Sequence, residues 1–251
     1  MQYTIERVPK NGMRYYRVTE GSKVIGEFPS ITTILGNTSD KSGLEKWKQR
    51  IGEAEAKRIS ELSMNRGTVM HRLIELYKPL EGTKTERLEQ LKQIAANDEE
   101  VNQFSEDENG ALWLEEGWKM FMKFYLNSSQ FFDRVSTVIA AENFLWSKIG
   151  YAGTVDNVSE MTDSSVLIID YKNSRRPKIE AWVQDYFVQG SAYYVAHWER
   201  TGQRPHGVEI WIANEEESVP QIFKLTADDV KYYFQEFTNR LKKFNKLYPN
   251  T

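Results

Sequence analysis

Asp170 and Lys172 flank Tyr171 directly after the apolar run Val166-Leu167-Ile168-Ile169, and the chain's chemistry is concentrated there. The run reads as a central strand covered on both faces. Side chains alternate along a strand, so Asp170 and Lys172 project to one side. The preceding strand carries Gly153-Thr154-Val155-Asp156, and a hairpin through Thr162-Asp163-Ser164 brings Asp156 beside Asp170. Two carboxylates on neighbouring strands, with an ammonium one step on, suit a hard cation such as Mg²⁺ or Mn²⁺. Such a centre polarises a phosphoryl group and acidifies a water, while the lysine offsets charge on the attacking or leaving oxygen.

The tripeptide alone is a weak signal. Acid-x-Lys recurs at Glu55-Ala56-Lys57 and Asp229-Val230-Lys231, in charged helical patterns that read as solvated faces. A salt bridge at a strand end competes for Asp170 and Lys172 too. Asp156 and a histidine in the right setting favour the metal site. His71 closes Asn65-Arg66-Gly67-Thr68-Val69-Met70-His71. On a helix, Met70, Leu73, Ile74 and Tyr77 make the apolar stripe, while Gly67, His71 and Glu75 share the adjoining face. The small residues before His71 suggest close backbone packing. Gln189 and Tyr193 stand one helical turn apart. A buried Gln189 amide would need partners, whereas Trp182, Tyr186 and Tyr193 read as core aromatics.

These residues need elements to position them. Tyr3–Val8 and Arg14–Val18 flank Asn11-Gly12, a hairpin signal. A third strand, Lys23–Phe28, precedes Ser30, an N-cap for a short helix from Ile31 to Leu35. Helices are expected near residues 43–61, 64–78, 84–96 and 109–126, with a mobile acidic segment from Asn97 to Asn109. Strands follow at Val135–Trp146, Tyr151–Met161 and Ser165–Tyr171, then an aromatic helix from Ile179 to Arg200. Strands at His206–Asn214 and Pro220–Leu225 and a helix from Asp228 to Leu247 close the chain. The fold class is α+β, or mixed α/β with one helix crossing between strands. The expected segments are an N-terminal β region (1–36), a helical region contributing His71 (37–130) and a core (131–251).

Composition narrows the chemistry. The absence of cysteine excludes disulfides, thiolate zinc sites, cysteine nucleophiles and iron–sulfur clusters. With histidine only at positions 71, 197 and 206, a metal must be held mainly by carboxylates. No apolar stretch approaches the roughly 18 residues that cross a bilayer. The first residues lack signal and transit character, so no membrane association and a cytoplasmic location, bacterial or in a phage-infected host, are expected. The net charge of −3 argues against a uniformly basic, phosphate-binding surface. Charge is uneven, however: Lys41, Lys46, Lys48, Arg50, Lys57 and Arg58 crowd one segment, and Arg175-Arg176-Pro177-Lys178 forms a basic loop.

Six segments together resemble the RecB-like branch of the PD-(D/E)XK nucleases, most of all the mitochondrial genome maintenance exonuclease family and its phage relatives. They are Ser30–Leu35, Leu44–Arg50, Arg66–His71, Gly153–Asp156, Ile169–Ser174 and Gln189–Tyr193, in family order over roughly residues 30 to 195. The resemblance implies a restriction-endonuclease-like core, its central mixed sheet flanked by helices, with the N-terminal β-hairpin region and helical insertion added. It implies metal binding by His71, Asp156, Asp170 and the carbonyl of Tyr171. It implies catalysis by Lys172 with Asp156 and Asp170, supported by Gln189 and Tyr193, and it places Arg66 with the substrate. Glu142, on the strand before, is a further candidate. Val155 replaces the family's nominal proline and Asp170 its frequent glutamate.

The implied partner is DNA, single-stranded and with free ends, in replication, repair or recombination, where proteins of those processes could join it. Trp47, Lys48 and Arg50 offer an aromatic face among positive charges for stacking bases and tracking phosphates, although packing against the core accounts equally well for Trp47. Ser30 and Thr32, at a helix start, could bind a phosphate. Two other readings stay open: a flap or junction endonuclease with the same metal site, and a non-catalytic DNA-binding recombination module. The chain has no His-Glu-x-x-His or Gly-x-Ser-x-Gly, which removes the zinc-protease and serine-hydrolase readings.

Overall fold

The structure is a computed structural model that describes residues 3–249. Met1, Gln2, Asn250 and Thr251, at the ends of the first and last expected segments, lie outside the described residues. Strands β1 (Tyr3–Lys10) and β2 (Met13–Glu20) pair antiparallel around Asn11 and Gly12. Both turn residues have positive φ, 52° and 73°, as a tight two-residue hairpin requires. Strand β3 (Lys23–Pro29) completes this sheet. Ser30 then caps α1 (Ile31–Thr38) by accepting the Thr33 N–H at 2.9 Å.

The helical region divides at a different place from the one expected. Helix α2 (Ser42–Ile51) ends at Gly52, whose φ of 86° breaks the helix, and α3 (Glu53–Tyr77) then runs unbroken through residues 61–64. Nothing between Glu61 and Met64 demands non-helical backbone, and Gly67 is tolerated inside the helix. Helix α4 (Lys84–Ala95) starts with a reciprocal Thr83–Glu86 cap, and α5 (Gly110–Leu126) packs on α3. The acidic segment between them, expected to be mobile, folds into successive turns. Arg72 anchors it through bonds to both Asp98 carboxylate oxygens. Among the described residues no helix is long and apolar enough to cross a membrane.

Strands β4 (Val135–Ser147), β5 (Tyr151–Met161), β6 (Val166–Ser174), β7 (Gly207–Asn214) and β8 (Gln221–Thr226) form one sheet in sequential order. Helix α6 (Gln184–Thr201) crosses from β6 to β7, the one parallel pair, and α7 (Ala227–Leu247) ends the fold. This is the expected α+β architecture with a mixed central sheet. Helix α6 starts later than expected, after a short turn at Glu180–Trp182. On one face of the sheet Val166 and Ile168 pack with α1, α6 and α7. On the other, Ile169 and Tyr171 pack with α3 and α5.

The position of the site follows from where two strands part. Strands β5 and β6 pair only from Asn157↔Ile169 to Glu160↔Val166. Beyond that point β5 stays with β4, and β6 stays with β7 as far as Ser174↔Asn214. A fork therefore opens between Asp156 and Asp170.

Candidate active site at the strand fork

Inside the fork, Asp156 Oδ2 accepts the Tyr171 N–H at 2.8 Å, so a carboxylate takes the donor that a strand would otherwise use. His71 arrives from α3, with Nε2 2.9 Å from the Tyr171 carbonyl oxygen. Its Nδ1 lies 3.7 Å from both Glu142 Oε1 and Asp156 Oδ2. Glu142 stands across β4–β5 from Asp156, between the pairs Ala141↔Asn157 and Asn143↔Val155, with a φ of 44°. His71, Glu142 and Asp156 can each offer a ligand atom within 4.8 Å of the others.

Asp170 stands apart from that cluster, which differs from the expected set of His71, Asp156, Asp170 and Tyr171. Strand alternation explains the difference. Asp170 follows Ile168 toward the α6 face, while His71 approaches from the α3 face. Asp170 is fully buried, neither oxygen accepts a well-formed hydrogen bond, and Lys172 Nζ is ion-paired to Oδ2. Glu142 takes its place in the compact cluster.

Electrostatics ties the groups together. Burial pushes the Asp170 carboxyl up to about 6, opposed by Lys172 and reinforced by Asp156. Burial disfavours the Lys172 ammonium, but Asp170 and Asp156 outweigh it and hold its pKa above the ordinary lysine value. For His71 burial is likewise outweighed by Asp156 and Glu142, and its pKa rises. Lys78 Nζ lies 4.6 Å over the Tyr171 ring, and burial brings it down to about 7 against the pull of Asp156, Glu142 and Glu75.

Gln189 and Tyr193 share a face of α6, with Gln189 Nε2 donating to Tyr193 Oη at 3.3 Å. A Cβ at position 153 would sit 2.9 Å from the Tyr193 ring, so Gly153 lets helix and strand meet. Tyr193 is 3% exposed and lies behind the site, as a core aromatic that supports it rather than a residue open to substrate. Tyr186 is only half-buried, with its ring 5.4 Å from Lys172 Nζ, and Trp182 is 63% exposed; neither is the core aromatic its spacing suggested.

The remaining expected substrate contacts scatter. Ser30 is buried and its hydroxyl is occupied in capping α1, while Thr32 is exposed on the first turn. Trp47 is half-buried and Lys48 and Arg50 are exposed on α2, a helix with no buried residue. Arg66 corrects its expected role: its guanidinium is 1% exposed and is held by Asn173 at 2.7 Å and by Glu215. It locks α3 onto the sheet.

A cavity of about 770 Å³ opens in front of His71 and Glu142. Arg7, Phe144, Thr154, Met64 and Asn173 line it, none of them singled out by sequence. Arg7 and Phe144 belong to strands whose surroundings only the tertiary structure reveals. Asn173 follows Lys172 inside the Ile169–Ser174 segment, and in the structure it packs against Gly67. A Cβ at Gly67 would lie 2.6 Å from Asn173 Nδ2.

The donor set fits a hard divalent cation: one imidazole, several carboxylates and a strand carbonyl, with both buried Asp170 oxygens free of hydrogen bonds. Fold and site together describe a hydrolytic nuclease. The chain belongs to the PD-(D/E)XK nuclease superfamily, whose family model matches residues 45–247. The chain is also similar to a crystal structure of a candidate exonuclease from Eubacterium rectale, with 12% identity and a TM-score of 0.33. That alignment covers 73% of this chain and 82% of the other. No curated protein matches.

Proposed function

We propose that the protein is a deoxyribonuclease of the RecB-like branch, akin to the mitochondrial genome maintenance exonucleases, that hydrolyses single-stranded DNA from a free end with Mg²⁺ or Mn²⁺. The observation that carries this reading is the meeting of His71, Glu142 and Asp156, with His71 on the Tyr171 carbonyl, beside the buried Asp170–Lys172 pair. The size of the cavity suits a nucleic-acid substrate. A space of about 770 Å³ has room for a nucleotide of the strand beside the carboxylates.

In this reading His71, Glu142, Asp156 and the Tyr171 carbonyl hold the cation, and Asp170 adds its charge from beside them. When bound, it supplies Lewis acidity to the scissile phosphoryl group and lowers the pKa of a water. Lys172 stays protonated through its carboxylate neighbours. It donates a hydrogen bond to the phosphoryl oxygen where negative charge develops. Asp170 orients that ammonium, and the Gln189–Tyr193 pair keeps the wall behind it fixed.

Digestion of end-labelled single-stranded and duplex DNA, linear and circular, with Mg²⁺ and with chelator, tests the proposal. Linear single strands should be shortened only with the cation, and circles should persist. Cleavage of circles would replace the exonuclease reading with an endonuclease at the same centre. Cleavage in chelator, or by Lys172→Ala, would remove the mechanism.

A further inference from the structure

We infer that Phe144, Thr154 and Arg7 form a slot for one nucleobase and its phosphate, a single nucleotide away from the carboxylates. The inference rests on the nuclease reading and adds the subsite that grips the strand. Phe144 and Thr154 are direct partners across β4 and β5, two residues along from Glu142 and Asp156 on the same strands. Two residues of strand span about 7 Å, the scale of one nucleotide, and residues two apart face the same side. A strand whose phosphate lies at the carboxylates therefore brings its neighbouring base over Phe144.

The slot is built, and it is open. Phe144 is 39% exposed although its ring edge rests on Tyr16, with centroids 5.6 Å apart. Tyr16 is buried and its hydroxyl lies 3.2 Å from Thr154 Oγ1, so one tyrosine fixes both residues. Arg7 pairs with Tyr16 across β1 and β2, which sends its side chain toward the same face. Also lining the cavity, α3 presents Met64, 64% exposed, and Thr68, two turns and one turn before His71. A flat aromatic ring and a flexible thioether lining one cavity make a place for a base to stack, and any of the four bases offers the π-face required.

The charges select a phosphate at one position. Two arginines line the cavity. Arg72 is committed to Asp98 and Glu75. Arg7 is exposed and, among the described residues, has no ion-pair or hydrogen-bond partner for its side chain. Glu75 and Glu100 line the same cavity and, being outside the proposed ligand set, disfavour a phosphate. The strand's backbone is accordingly drawn to the Arg7 edge.

Binding of a labelled single-stranded oligonucleotide in chelator tests the slot without cleavage, and digestion in Mg²⁺ tests the nuclease reading separately. Phe144→Ala should raise Kd about ten-fold, as expected for loss of one stacked base. Phe144→Trp should restore binding to near wild type, which a merely structural role would not allow. Under Mg²⁺ the same loss should fall on KM and leave kcat within about three-fold. Arg7→Ala should lower the slope of log K against log salt by about one. An abasic nucleotide next to the cleaved bond should slow the wild type as Phe144→Ala does, with no further loss when the two are combined. Equal binding by wild type and Phe144→Ala, or no recovery with Phe144→Trp, overturns the slot. Weakened binding by Phe144→Ala in a protein that digests nothing upholds the slot and rejects the nuclease reading instead.

Discussion

Asp156 accepts the backbone N–H of Tyr171 at 2.8 Å while standing 3.7 Å from the His71 imidazole. One carboxylate thus seals the mouth of the β5–β6 fork and, in the proposed centre, also offers a ligand atom. The two duties can be separated by substitution. Asp156→Asn keeps an acceptor for the Tyr171 N–H but loses the charge, so it should fold like wild type and lose at least about a hundred-fold in digestion rate. Asp156→Ala leaves the N–H without a partner and should in addition lose about 1–3 kcal/mol in denaturant unfolding. Equal stability of the two variants would show that the hydrogen bond does not hold the fork.

Cation binding should be visible as stability. The proposed ligands come from α3, β4, β5 and β6, four elements that separate on unfolding. A cation bound only by the folded chain stabilises it by about 2.7 kcal/mol at a hundred times Kd, so Tm rises with concentration. Thermal melts with Mg²⁺, Mn²⁺ and chelator should show this rise in the wild type and lose it in His71→Ala and Asp156→Asn. A rise that survives in both variants would place the cation elsewhere.

The affinity should also fall in acid. Asp170 is pushed up to about 6 by burial, with Lys172 lowering and Asp156 raising it, and His71 is raised by its carboxylate neighbours. Protonated carboxyl and imidazolium do not bind a cation, so each such proton must leave first. As pH drops from above 6.5, where His71 takes a proton, through about 6, where Asp170 does, apparent Kd should rise by up to about ten-fold per unit for each coupled proton. Titration calorimetry from pH 5 to 8 would measure it, and a flat affinity over that range would contradict it.

Part of this site was legible in the sequence and part was not. The apolar run before Asp170 and the period of two along β6 placed Asp170 and Lys172 on one face, which they share. The same period could not say that β5 and β6 part at Asp156, because divergence depends on what each strand pairs with on its other side. Glu142 remained an outlying candidate for a similar reason: a φ of 44° on a non-glycine residue leaves no mark in a hydropathy pattern. Gly52 and Gly67 look alike in sequence, yet one breaks a helix and the other makes room for Asn173. Arg66 sits in the motif that carries His71, but only tertiary structure shows Asn173 and Glu215 closing over it.

Gly67 yields a prediction of its own. A methyl there would sit 2.6 Å from Asn173 Nδ2, and Asn173 is held by its donation to Ser63 O and by the Arg66 bond to its Oδ1. Gly67→Ala must therefore push α3 away from β6, carrying His71 off the Tyr171 carbonyl. A loss of about 1–3 kcal/mol in stability should accompany a much larger fall in rate. Gly67→Ala with Asn173→Ala should recover part of the stability, whereas strict additivity of the two losses would show that the contact is not the cause.

Helix α2 and Arg66 should respond to salt in opposite ways. Trp47, Lys48 and Arg50 stand on a helix with no buried residue, and neither Lys48 nor Arg50 has a carboxylate partner among the described residues. If that helix tracks the DNA backbone, Lys48→Ala and Arg50→Ala should each reduce the slope of log K against log salt by about one. Arg66 is 1% exposed and already neutralised by Glu215. Its removal leaves Asn173 Oδ1 with only the long Ser63 hydroxyl bond and the Glu215 carboxylate without its cation, so Arg66→Ala should lower stability by about 2–3 kcal/mol. The salt slope of its folded fraction should match wild type. Fluorescence-anisotropy titrations at several salt concentrations distinguish the two kinds of arginine, and a reduced slope for Arg66→Ala would return that residue to the substrate.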